Sequence, residues 1–277
     1  MNPRLQTRVQ RYGWDKAAPF YEAGWKNSLA PAQARLLESA LAAPGEDVLD
    51  LACGTGLVTF PLAEAVGPSG RVTATDLSDN MVESITTEAA RRGLSNLTAF
   101  RADAESLEAI EDHSFDLVTC ALGLMYCPNP ASAIRESFRV LRPGGRAVFA
   151  VWGARKACGW ADIFPIVDAR VESDVCPLFF RLGTGETLAK EMAACGFDQI
   201  QSTRLNTLSP YSNDRDAVDA AFAGGPVAMA YARFDEETRQ SAEAEYLASI
   251  APFKSDLGYR IPGEFVVCMG IRGGQSI

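Results

Sequence analysis

Val48-Leu49-Asp50-Leu51-Ala52-Cys53-Gly54-Thr55-Gly56 decides the fold. Its first half is a short apolar run with the composition of a buried strand, and the glycines follow at once, as they do where a strand turns tightly into a helix. Helical spacing resumes over residues 57–66 and stops at Gly67-Pro68. The unit then repeats. Residues 71–75 read as a strand, 79–92 as a helix ended by Gly93, 97–101 and 115–121 as strands, 130–141 as a helix, Pro143-Gly144-Gly145 as a turn, and 146–152 as an apolar strand. Strands alternating with helices imply a parallel sheet covered on both faces. The expected fold class is therefore α/β, a seven-stranded, mostly parallel, doubly wound sheet. Its ligands belong beyond the carboxyl ends of the strands, near the point where strand order reverses.

Outside this core the rhythm changes. Residues 1–44 read as a helical leader or cap, with apolar residues at helical spacing over 30–41 and a stop at Pro44-Gly45. Residues 45–152 form the binding core, and 153–277 complete the sheet while carrying helical insertions suited to a lid. In that last part a helix is expected over 186–195, a strand over 197–205, helices within 214–250 and a final strand over 264–271. All of this reads as one domain with insertions.

Two carboxylates give the glycine turn its meaning. Nicotinamide and flavin enzymes use the same turn for a diphosphate. Asp50, at the end of the first strand, would repel a diphosphate and would suit a cationic group such as the ammonium or sulfonium of S-adenosylmethionine. Thr59 is also wrong for the third glycine of a dinucleotide fingerprint, and no Lys-Ser/Thr pair follows the glycines as in a phosphate-binding loop. Asp76 ends the second strand, about twenty residues on, where a carboxylate can accept both hydroxyls of an adenosine ribose. The plainer alternative makes Asp76 a helix N-cap, although Ser78 or Asp79 can fill that role.

The chain has 277 residues, 47% of them hydrophobic, enough for a substantial core. A net charge of −9 speaks against nucleic acid as a partner, because phosphate neutralisation by Lys and Arg supplies most such affinity. Arg4, Arg8 and Arg11 at helical spacing read as a solvated helix face. No segment is apolar and long enough for a membrane span, and the leader lacks the apolar stretch of a signal peptide; a cytoplasmic protein, monomer or homodimer, is expected. The seven scattered cysteines, Cys176 among them, read as reduced thiols. Without a CxxC pair and with His113 as the only histidine, no metal site is expected.

The motifs as a set resemble the class I S-adenosylmethionine-dependent methyltransferases, in the ubiquinone/menaquinone-biosynthesis methyltransferase-like branch. The stretch from Val48 to Gly56 is similar to that family's first motif, and Thr73-Ala74-Thr75-Asp76-Leu77-Ser78-Asp79-Asn80-Met81 to its second. Arg101-Ala102-Asp103-Ala104 resembles the third, and Ser114-Phe115-Asp116-Leu117-Val118 and Val140-Leu141-Arg142-Pro143-Gly144-Gly145 complete it in order. The resemblance covers residues 48–152. It implies S-adenosyl-L-methionine as cofactor and S-adenosyl-L-homocysteine as product. It also implies that Asp50, Ala52, Gly54 and Gly56 surround the methionine moiety and that Asp76 holds the ribose. Leu77 and Met81 would sandwich the adenine, Asp103 and the Ala104 amide would bond its edge, and Ala121 would line the floor near the sulfonium. Leu77 and Met81 have a core reading as well. Trp14 to Tyr21 resembles a leader that folds over the cofactor, with Tyr21 and Trp25 in contact with it; either aromatic can equally be a packing residue.

The implied function is methylation of a small-molecule acceptor, a phenol or quinol, a thiol or an amine. A general base is needed only for an acceptor that must lose a proton. His113 reads as an exposed loop residue, which leaves Tyr126, Tyr21, Asp162 or Glu186 for any such role. Phe164, Phe179, Phe180, Phe222, Tyr231 and Phe234 in the insertions suit an apolar pocket or the lid's own core. Tyr259 and Arg260 suit a polar acceptor or a lid salt bridge. The alternatives are a nicotinamide-linked oxidoreductase, disfavoured by Asp50 and Thr59, and a non-catalytic protein that binds S-adenosylmethionine.

Overall fold

The computed structural model describes residues 3–171 and 178–273, so Cys176 and Pro177 lie outside the described residues. The core alternates strand and helix: β1 (Asp47–Leu51), α2 (Thr59–Val66), β2 (Arg71–Asp76), α3 (Asp79–Arg92), β3 (Leu97–Arg101), β4 (Phe115–Ala121), α4 (Pro130–Val140) and β5 (Leu141–Trp152). Before it runs α1 (Pro3–Ala40). After it come α5 (Ile163–Asp168), α6 (Thr187–Ala194), β6 (Phe197–Tyr211), α7 (Asp214–Phe222), α8 (Ala228–Tyr231), α9 (Glu236–Ile250), the two-residue β7 (Lys254–Ser255) and β8 (Gly258–Arg272).

Seven strands lie in the order β3-β2-β1-β4-β5-β8-β6, and β7 pairs with β8 off this path. Pairings from β3 through β5 are parallel, whereas β8 runs antiparallel to both β5 and β6. The order reverses between β1 and β4, which opens a crevice at their carboxyl ends. Val48, Leu49, Leu51, Val118, Val148 and Phe149 are fully buried, as strands covered on both faces require.

Local chemistry sets the sharpest boundaries. Ser78 caps α3 by accepting from the Met81 amide at 3.2 Å, and Gly93 ends it in the left-handed region at φ 68°. That leaves Asp76 free of capping duty. The Pro143-Gly144-Gly145 turn is a bulge inside β5, not a break before it: Phe115 pairs with Leu141 while Leu117 pairs with Arg146. The leader is one helix that continues through Pro19 and Pro31. Its Gly24 lets it touch α7, since a Cβ there would stand 3.0 Å from Ala220 Cα, and the Trp25 indole donates to the Ala220 carbonyl at 2.9 Å.

Candidate active site

A cavity of about 1000 Å3, counting open solvent at its mouth, lies beyond the carboxyl ends of β1, β2, β3 and β4. Its floor is made by the turns that follow those strands: Ala52 and Gly54 after β1, Asp76 and Leu77 at the end of β2, Ala102 to Glu105 after β3, and Ala121 to Gly123 after β4. The inner face of α1 forms the roof through Thr7, Gln10, Trp14, Tyr21, Trp25 and Leu29. Trp152, Trp160, Phe179, Gly225 and Pro226 close the far side.

The first turn is built for close approach. Gly54 takes φ 56° and Gly56 φ 92°, conformations that cost little only to glycine. Ala52 and Leu122 hold φ 51° and 66° without being glycine, and such strain in a non-glycine residue gathers at ligand sites. Gly123 brings the β4 turn onto the β1 turn, because a Cβ there would stand 2.3 Å from Ala52 Cβ.

Asp76 is nearly buried. Its Oδ2 accepts from the Gly54 amide at 2.9 Å and its Oδ1 from the Ser78 amide at 2.9 Å. Burial pushes its carboxyl upward, and the amides of Ser78, Gly54 and Leu77 work against that by stabilising the charge. Asp50 is buried behind the same turn, in a smaller polar recess shared with Tyr21, Gln33, Ala52, Thr55 and Ala121. Its carboxylate accepts from the Thr59 and Thr119 hydroxyls at 2.6 and 2.7 Å. Desolvation still raises its pKa to about 6.

The roof is pinned to the floor. Ser78 Oγ donates to Asp15 Oδ1 at 2.6 Å, Asn80 Nδ2 donates to the Asp15 carbonyl at 2.9 Å, and Arg11 pairs with Asp79. Trp14 meets Tyr21 and Tyr126 edge-on, at ring centroid distances of 5.8 and 5.0 Å.

The structure thus brings Tyr21, Trp25, Ala52, Gly54, Asp76, Leu77, Met81, Asp103, Ala104, Ala121 and Tyr126 to one cavity, with Asp50 in the adjoining recess. Gly56 lies beneath the floor, where a Cβ would clash with the Phe60 ring at 2.5 Å. Other expectations are corrected. Asp162 and Glu186 are exposed and pair with Arg155 and Lys190, so neither reaches the cavity. Of the six insertion aromatics only Phe179 lines it. Phe164 and Phe180 pack behind Phe179, and Phe222, Tyr231 and Phe234 form a separate cluster. Tyr259 donates to Asp214, which also pairs with Lys254, so Tyr259 is engaged away from the cavity and the ion pair beside it is formed by Lys254. Exposed His113 faces Arg272 at 2.7 Å. Gln10, Gln33, Thr55, Trp152 and Trp160 were not foreseen as site residues; Thr55 and Trp152 lie within patterns read only for their backbone, and the other three lie outside the motifs.

Residues 48–145 match the model of a methyltransferase domain. Over 134 residues the chain is 40% identical to nocamycin O-methyltransferase of Saccharothrix syringae, covering 48% of this chain and 47% of that one. It is 30% identical over 184 residues to the ubiquinone/menaquinone biosynthesis C-methyltransferase UbiE of Shewanella woodyi, covering 61% of this chain and 73% of the relative. The chain belongs to the class I S-adenosylmethionine-dependent methyltransferases, in the ubiquinone/menaquinone branch. It spans about half the length of most curated relatives that it matches. The YcgJ protein of Bacillus subtilis shares the fold of this chain, with a TM-score of 0.61 at 19% identity over 88% of this chain and 99% of that one. No helix among the described residues is long and apolar enough to cross a membrane.

Proposed function

We propose that this methyltransferase-family chain transfers the methyl group of S-adenosylmethionine to a small apolar acceptor and releases S-adenosylhomocysteine. The observation that carries the reading is Asp76, a nearly buried carboxylate at the cavity wall, held by the very glycine turn that forms the cavity floor. The residues present fit the cofactor. Thr55 Oγ1 is buried with no partner, and it shares the polar recess with Gln33 and Asp50, a donor and acceptor set for an amino-acid end. Asp76 offers its remaining lone pairs to ribose hydroxyls. Asp103 and the Ala104 amide offer an acceptor and a donor to a purine edge, with Leu77 and Met81 as its apolar walls.

When bound, the cofactor supplies an electrophilic methyl group on a sulfonium. The chain's own part is placement, and alignment of donor and acceptor is worth several powers of ten in rate. Ala52, Ala121 and Gly123 keep the floor shallow between the polar recess and the aromatic far side. Trp14, Tyr21 and Trp25 on α1 cover the site and keep water out. Tyr21 acts as a neutral donor, because burial and the nearby Asp76 push its phenol pKa up; burial likewise keeps Cys127 a thiol. Two relatives carry names for O- and C-methylation, which supports, of the acceptors expected from the sequence, a phenol or quinol of low molecular weight.

Calorimetric titration with S-adenosylhomocysteine tests the reading. The wild-type chain should bind it, and Asp76→Ala should weaken binding by ~1–3 kcal/mol through lost charge-assisted contacts. Unchanged affinity in the variant would refute the ribose role.

A further inference from the structure

The far side of the cavity is aromatic. Trp160 packs edge to face against Trp152 at 4.7 Å and against Trp25 and Phe179 at 5.6 Å each. The indole donors differ in their satisfaction. Trp25 Nε1 donates to the Ala220 carbonyl at 2.9 Å, whereas Trp160 Nε1 is buried with no hydrogen-bond partner. Folding rarely leaves a buried donor unmatched, because the group forfeits its hydration for nothing. Trp160 lines the cavity, and a donor left so behind the wall of an apolar cavity is suited to fix the orientation of a ligand that displaces the rings covering it.

Charge narrows the ligand further. The cavity wall carries Asp76, Asp103 and Glu105, and no Lys, Arg or His among the described residues. A carboxylate or phosphate group on the acceptor would enter with no cationic side chain to meet it. An ammonium has donors only and would leave the Trp160 N–H unmatched, and a thiol is a weak acceptor. A carbonyl, phenol or ether oxygen has the lone pairs required.

We infer that Trp160 is a specificity-determining residue whose indole N–H reads an oxygen on an uncharged, ring-bearing acceptor. That the ligand is a methyl acceptor rests on the methyltransferase reading; the site rests on the cavity. The N–H is sealed from water, so seating the ligand shifts the edge-packed rings around it.

The test compares two probes of one shape, 2-acetylnaphthalene and 2-isopropenylnaphthalene, which differ by a carbonyl oxygen against a methylene. Each is titrated into the full chain saturated with S-adenosylhomocysteine. The wild-type chain should prefer the ketone by about fivefold, the effect of one net hydrogen bond. Trp160→Phe keeps an aromatic ring and removes the donor, and should bring the ratio to one while leaving the affinity for S-adenosylhomocysteine in place. Equal binding of the pair by wild type, failure to bind either probe, or an undiminished preference in Trp160→Phe would overturn the inference. S-adenosylhomocysteine binding without discrimination would sink this inference alone; absence of that binding in wild type would sink the methyltransferase reading too.

Discussion

The Thr59 hydroxyl donates to the Asp50 carboxylate at 2.6 Å, across the turn between β1 and α2. Thr59 stands where a dinucleotide-binding turn would have its third glycine, and here it helps to hold the buried acid that such a turn would not tolerate. With Thr119 on β4 it forms a cradle from two elements, and desolvation outweighs both bonds, raising the Asp50 pKa to about 6.

A pH dependence follows. The folded pKa lies above the unfolded value of 3.8, so the stability that this group contributes is present below pH 4 and lost as pH rises through about 6. Asp50→Asn removes the titration. In denaturant unfolding, wild type should lose roughly 2 kcal/mol relative to the variant between pH 4 and pH 7. A constant difference across that range would show that Asp50 ionises in the folded chain as it does in water.

Gly123→Ala tests the contact between the two strand-end turns. The added Cβ would fall 2.3 Å from Ala52 Cβ and 2.8 Å from Cys120 Sγ. Overpacking of this kind costs ~1–3 kcal/mol, and the displaced Ala52 belongs to the cavity floor. A lower melting temperature together with weaker S-adenosylhomocysteine binding is expected. Wild-type values for both would mean that the turns have slack which the structure does not show.

Asp15→Ala tests the roof. The variant loses the bond from Ser78 Oγ and the weaker one from the Asn80 amide at 3.4 Å, together about 1–2 kcal/mol. Limited proteolysis should cut within α1 sooner than in wild type, and bound S-adenosylhomocysteine should slow that cutting. Equal cutting rates in both proteins would show that apolar contacts alone hold α1 down.

The core was readable because local signals agreed with the global pattern. Residues 79–92, 97–101 and 115–121 begin and end where expected, since Ser78 caps one end of α3, Gly93 closes the other, and β4 is rich in buried apolar residues, with Asp116 and Thr119 interspersed among them. The periphery was harder. α1 continues through Pro19 and Pro31 because packing against the core, α7 and α8 holds it there, where propensity alone predicts a break. β6 runs on to Tyr211, past residue 205, because β8 pairs with it continuously from Gln201 to Tyr211, although Pro210 stands near its end. The carboxylates Asp50 and Asp76 were legible from their places at strand ends. Trp152 and Trp160 were not, because what matters in them, a shared cavity wall and an unmatched N–H, arises only when distant segments meet.

Methyl transfer itself is measured by the passage of label from methyl-tritiated S-adenosylmethionine into a cell extract, fractionated into volatile, organic-soluble, aqueous small-molecule and macromolecular pools. Label is expected in the organic-soluble pool with wild type and should be lost with Asp76→Ala. Label confined to macromolecules, or no transfer in an extract supplied with aromatic oxygen-bearing acceptors, would contradict this expectation.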